Sequence, residues 1–147
     1  MDQGVNQMNE QKETARMEDK MNDDHRLLLF VEDDPGWRLI LKHIVKLLDI
    51  EAIYADSGES ALKIIQERND VTCMFLDMSL GVGLSGSDLA GQIKSRSCYK
   101  DVPLIAMTAY EKNQIHGFDN CGFTGYLQKP YSIQELGTII DRQYAHA

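Results

Sequence analysis

The sequence predicts an α/β fold, a parallel five-stranded sheet covered by helices on both faces, and three observations carry that prediction. Short apolar runs that do not alternate with polar residues recur five times along the chain. Segments with helical periodicity alternate with them. The runs end on acids, a hydroxyl or an amine. Unbroken apolar strands are those of a sheet buried on both faces, and strands alternating with helices are joined by crossovers that keep them parallel.

The elements follow in order. "LLLFV" (27–31) is wholly apolar and stops on Glu32, Asp33 and Asp34, followed by Pro35 and Gly36. Trp37, Ile40, Leu41, Ile44, Val45 and Leu48 then fit the i, i+3, i+4, i+7, i+8, i+11 pattern of an amphipathic helix, with Pro35 at its entrance. "EAIYA" (51–55) is the second strand, and Ser57 caps a helix whose inner face is Ala61, Leu62, Ile64 and Ile65. "VTCMFL" (71–76) is the third strand and runs straight into Asp77 and a glycine-rich loop. "SDLAGQIKS" (87–95) gives a third helix, "VPLIAMT" (102–108) a fourth strand, "YEKNQIHGF" (110–118) a short fourth helix and "TGYLQ" (124–128) a fifth strand. The last helix opens on "SIQE", Ser132 to Glu135, a capping box, and buries Ile133, Leu136, Ile139 and Ile140. The commonest arrangement of five such units is the flavodoxin-like (βα)5 sandwich with strand order 2-1-3-4-5.

Bulk properties narrow the function. A chain of 147 residues supports one domain with a real core. It has no apolar run near the roughly 20 residues that span a bilayer, and its start has neither the basic residues nor the apolar core of a signal peptide, so a cytoplasmic location is expected. Cys73, Cys98 and Cys121 lack metal or disulfide spacing and read as reduced thiols, Cys73 in the core. A net charge of −8 disfavours nucleic acid or an anionic membrane as partner. Much of the acidity lies in residues 1–25, where Asp2, Glu10, Glu13, Glu18, Asp19, Asp23 and Asp24 face only Lys12, Arg16 and Lys20. That stretch holds too little apolar surface to offset its ordering entropy, so a solvated tail (1–25) and one folded unit (26–147) are expected.

In this topology the carboxyl ends of strands one, three, four and five share one rim, which gathers Glu32, Asp33 and Asp34, then Asp77, Thr108 and Lys129. Each of these alone has an ordinary reading as a turn, cap or surface residue, and Tyr126 alone as core. Asp34 is assigned to the loop or the first-helix entrance and not to a metal, Trp37 to the core at the start of the helix beside the acids, and His25, His43, His116 and His146 to solvated or partly packed positions. The motifs "LFVEDDP", "FLDMSLGVGLSG", "IAMTA" and "GYLQKPYS" together resemble, in order and strand context, the signature regions of the response-regulator receiver domain of two-component signalling, from about Arg26 to Tyr144. That resemblance implies Asp77 as phosphoacceptor, Glu32 and Asp33 as the acidic pair that holds Mg²⁺ with Asp77 and the Ser79 carbonyl, and Lys129 as the partner lysine. It also implies Thr108 and Tyr126 as switch residues and a cis Lys129–Pro130 bond.

The chemistry is coherent, because a carboxylate can attack an activated phosphoryl group once neighbouring acids are offset by a divalent cation and a lysine. The resemblance further implies a histidine kinase or histidine phosphotransfer protein as donor. The output face is expected around Tyr110, Lys112, Tyr126, Tyr131 and Gln134, and the lack of an effector segment after Tyr144 favours a stand-alone switch. Two alternatives are a degenerate receiver that binds partners without phosphorylation and a haloacid-dehalogenase-like phosphatase. The intact acids, threonine and lysine disfavour the first, and Ser79, standing where such a phosphatase needs a second aspartate, disfavours the other. The chain departs from the family pattern at Gly81, where a proline is usual, in one extra residue within "GVGLSG", and in one fewer between Thr108 and Lys129.

Overall fold

The structure, a computed structural model, describes residues 25–111, Phe118 and residues 121–145. The acidic segment apart from His25, most of the expected fourth helix with Lys112 and His116, and His146 lie outside the described residues. The elements are β1 (Leu27–Val31), α1 (Pro35–Leu48), β2 (Glu51–Ala55), α2 (Gly58–Glu67), β3 (Cys73–Asp77), α3 (Gly86–Lys94), β4 (Leu104–Thr108), β5 (Gly125–Gln128) and α4 (Ile133–Tyr144). All strand pairs are parallel and the order is β2-β1-β3-β4-β5, as the alternation of apolar runs and helices predicts.

Unbroken apolar strands arise because the sheet separates two cores. Leu27, Leu29, Val31, Met74 and Leu76 point to one side, against Ala61 and Ile65 of α2 and Leu89, Ala90 and Ile93 of α3. Leu28, Phe30, Cys73 and Phe75 point to the other, against Leu41, Ile44 and Val45 of α1 and Leu136 and Ile140 of α4. Register places Phe30 beside both Tyr54 and Phe75, and the three rings stack at centroid distances of 5.7 and 4.8 Å. Such a row adds ring-ring attraction to the area it buries.

The helix entrances are side-chain caps. Asp34 accepts from the Trp37 N–H at 3.0 Å, so its carboxylate serves the helix. Ser57 caps α2, Ser85 caps α3, and Ser132 with Glu135 forms a capping box on α4. Three strands start later than the sequence suggests, β5 by one residue, at Gly125, and β3 and β4 by two. Val71 and Thr72 precede β3, where the Thr72 hydroxyl engages the Leu27 N–H at 3.0 Å, and Pro103, without an N–H, holds the start of β4 to Leu104. Among the described residues, no helix is long and apolar enough to cross a membrane.

Candidate functional site

The carboxyl rim is built by pinning each acid from the backbone. The Glu32 N–H bonds to the Ala55 carbonyl at 3.0 Å, which continues the β1–β2 pairing past Val31 and leaves Glu32 fully buried. One Arg38 guanidinium nitrogen donates to the carbonyls of both Glu32 and Asp33 at 2.9 Å. This arginine lies four residues after the Asp34 cap, one helical turn on, so its reach over the acidic turn was legible in the spacing though not singled out. Asp77 ends β3 at 2 % exposure, and its Oδ1 accepts from the Ser79 N–H at 2.8 Å. Glu32, Asp33 and Asp77 each offer a carboxylate oxygen within 4.8 Å of the others.

The cation of the rim comes from the far edge. The Lys129 N–H bonds to the Thr108 carbonyl at 2.7 Å, and the Lys129–Pro130 bond is cis. The Lys129 ammonium donates to Glu32 Oε1, lies 3.5 Å from Asp77 Oδ2 and sits 5.0 Å from the centre of the Trp37 ring. Trp37 therefore borders the site as well as filling space, and its ring meets Tyr131 at 5.3 Å. Thr108 is buried, and its hydroxyl accepts from the Tyr110 N–H at 3.1 Å. Tyr126 is half-buried, and its hydroxyl donates to the Tyr110 carbonyl.

Tyr131 corrects an expectation. Instead of lying on an outer binding face with the exposed Tyr110 and Gln134, it is 8 % exposed and packed in the α1–α4 core. The reason is tertiary: the Trp37 ring supplies an apolar surface for it to cover. Among the described residues, its hydroxyl and Glu32 Oε2 are buried without a hydrogen-bond partner. Burial raises the Tyr131 pKa, and the charges of Glu32 and Asp77 raise it further. Burial also pushes the Glu32 carboxyl up to about 8, helped by the neighbouring Asp77 carboxylate and opposed by Lys129.

This donor set fits a small hard cation. Three carboxylates converge within ligand reach, and an orphaned buried Glu32 oxygen is the kind of acceptor that a metal ion or its water satisfies.

The family model for the response regulator receiver domain matches residues 28–141. The transcriptional regulatory protein SrrA of Staphylococcus aureus (strain NCTC 8325 / PS 47) is 30% identical over 111 residues, 74% of this chain and 44% of SrrA. The chain spans less than half the length of the curated relatives it first matches. A putative response regulator from Chloroflexus aurantiacus J-10-fl superposes with a TM-score of 0.75 at 27% identity, covering 82% of this chain and 98% of that one. The receiver domain of a sensor histidine kinase from Pseudomonas aeruginosa PAO1, solved with a magnesium ion coordinated in its active-site cleft, gives 0.72 at 25% identity, with 81% and 97% covered. Fold, rim and family match agree, and the chain belongs to the response-regulator receiver domains of two-component signalling, which act as signalling switches and not as turnover enzymes.

Proposed function

We propose that this chain accepts a phosphoryl group onto Asp77 from a phosphohistidine of a histidine kinase or phosphotransfer protein, in a Mg²⁺-dependent reaction, and that the acyl phosphate switches a protein-binding face. The observation that carries this reading is the placement of Asp77, a buried carboxylate at the end of the central strand, between the Lys129 ammonium and a second and third acid. Glu32, Asp33, Asp77 and the Ser79 carbonyl would hold Mg²⁺, which when bound offsets their charge and draws in a phosphoryl oxygen. Residues 26–147 form the receiver unit in this reading and residues 1–25 an acidic tail, consistent with a family match that begins at Leu28.

The protein's own part is placement and charge. The Ser79 N–H fixes one Asp77 oxygen, and the other faces Lys129. A carboxylate oxygen of Asp77 forms the new O–P bond as the donor's N–P bond breaks, and the electron pair returns to the imidazole, which takes up a proton. Lys129 balances the charge that builds on the phosphoryl oxygens.

Output follows from a two-bond chain through one residue. Tyr110 gives its N–H to the Thr108 hydroxyl and its carbonyl to the Tyr126 hydroxyl. When the Thr108 hydroxyl turns to donate to a phosphoryl oxygen, it pulls on Tyr110 and releases Tyr126 to repack, so a local charge change biases a surface containing Tyr110, Tyr126 and Gln134. Incubation with acetyl phosphate and Mg²⁺ followed by intact mass tests the assignment. A single phosphoryl adduct is expected for the parent and none for a folded Asp77→Asn; an adduct that persists in the variant rejects Asp77 as the acceptor.

A further inference from the structure

The loop between β3 and α3 is held at two points by carboxylates from different parts of the fold. The Gly81 N–H donates to Asp33 Oδ2 at 2.9 Å, and the Leu84 N–H donates to Glu59 Oε1, from α2, at 2.8 Å. Val82, between them, is fully exposed, so packing does not fix the loop there. The two anchors differ in kind: Glu59 stands apart from the acidic cluster, whereas Asp33 is one of its three members. A Cβ at Gly81 would lie 3.2 Å from the same Asp33 oxygen, a close approach that glycine makes easy.

A backbone N–H given to a carboxylate is a charge-assisted hydrogen bond, stronger than a neutral one, and it fixes the carboxylate plane. Each carboxylate oxygen has more than one acceptor direction, so this bond leaves capacity on Asp33 for a cation. Asp33 is also the least buried of the three acids, and so the one whose orientation the core does least to set. We infer that Gly81 is a positioning residue for the cation site, its N–H holding the Asp33 carboxylate in the orientation from which it joins Glu32 and Asp77. The inference rests on the reading of Asp33 as a metal ligand. Hydrogen-bond partners of metal ligands commonly account for about 10–100-fold in metal affinity. A proline at this position has no N–H and cannot make the contact.

The test is Mg²⁺ titration of the full chain by calorimetry. Gly81→Pro should bind Mg²⁺ about ten-fold more weakly, while Gly81→Ala, which keeps the donor but sets a Cβ 3.2 Å from Asp33 Oδ2, should lose less than Gly81→Pro. Glu59→Ala frees the other end of the loop without touching Asp33 and should leave affinity unchanged. An equal loss in Glu59→Ala, or unchanged or tighter binding in Gly81→Pro, overturns the inference. Asp33→Asn separates the two levels: weaker binding there with none lost in Gly81→Pro rejects only the role of Gly81, whereas no loss in Asp33→Asn rejects the metal reading on which it rests. Amide exchange of Gly81 in the parent needs no variant to fold. Protection retained in the Mg²⁺-bound protein supports positioning, and protection lost on adding Mg²⁺ shows competition for Asp33 and overturns it.

Discussion

The two ends of the same sheet treat buried and part-buried polar groups in opposite ways. At the amino end, beside the start of β1, one hydroxyl serves three partners: Thr72 Oγ1 meets the Leu27 N–H at 3.0 Å, the Leu27 carbonyl at 3.2 Å and the Tyr144 hydroxyl at 2.7 Å. The fully buried Tyr99 likewise gives its hydroxyl to the Arg68 carbonyl. At the carboxyl end Glu32 Oε2 and the Tyr131 hydroxyl are buried with no partner among the described residues, and Glu32 and Asp77 share one ammonium. An unsatisfied buried polar group costs about 1–3 kcal/mol, so one end is closed and the other holds unmet bonding capacity where a ligand would satisfy it.

The largest effect expected from this contrast concerns the metal. Glu32→Gln with Asp33→Asn removes two of the three carboxylates, and Mg²⁺ affinity should fall by well over ten-fold, since each lost ligand or its support is worth that much. Calorimetry decides, and an unchanged dissociation constant would break the comparison at its root.

The sheet and its rim were legible because the relevant signals are local. The inner strands β1, β3 and β4 face two cores, so their apolar runs cannot alternate, and a charge that interrupts such a run stands out, as Asp77 does after Cys73–Leu76. The caps of α1, α2 and α4 were readable for the same reason. Tyr131 was not, because its burial depends on Trp37 from the first helix, a contact with no trace in the residues around it. Gly81 was visible as a departure from a pattern, but a backbone N–H donated to Asp33 has no side-chain signature. Thr72 read as a strand residue because β-branching fits a strand, while its hydroxyl bonding to Leu27 and Tyr144 is tertiary.

Thr72→Val probes the closed end. It keeps the shape and removes the hydroxyl, leaving the Leu27 N–H and the Tyr144 hydroxyl without this partner, at about 1–2 kcal/mol in urea unfolding. Mg²⁺ affinity should be unaffected; a parallel loss would show that the two ends are energetically coupled. The open end should show instead in the pH dependence of the metal-free protein. Glu32, with its carboxyl raised to about 8 against an ordinary 4.5, keeps a proton in the folded state that the unfolded chain releases. Folding therefore binds a proton in that window, and stability should decline as pH rises from about 4.5 towards 8 and level off above it. Other groups contribute to the same curve, so the measurement is the difference between parent and Glu32→Gln in chelator. A slope that does not flatten in the variant would assign the effect elsewhere.

The smallest effect sharpens the comparison most, because it makes one chemical change at both ends. Tyr144→Phe deletes a hydroxyl that bonds Thr72 and should lower stability by about 1 kcal/mol. Tyr131→Phe deletes a buried hydroxyl with no partner among the described residues and leaves the ring against Trp37, so no hydrogen bond to them is lost and a desolvated dipole is removed. Its effect on the metal-free protein should lie between zero and a gain of about 1 kcal/mol, the opposite sign to its counterpart. The removed group also lies near the charges of Glu32 and Asp77, so the Glu32 pH window should move little, the hydroxyl being neutral throughout it. Urea unfolding of the two variants side by side reads the sign directly. A loss in Tyr131→Phe equal to that in Tyr144→Phe would mean that the Tyr131 hydroxyl holds an ordered water against Glu32, and that the carboxyl end is as fully bonded as the amino end.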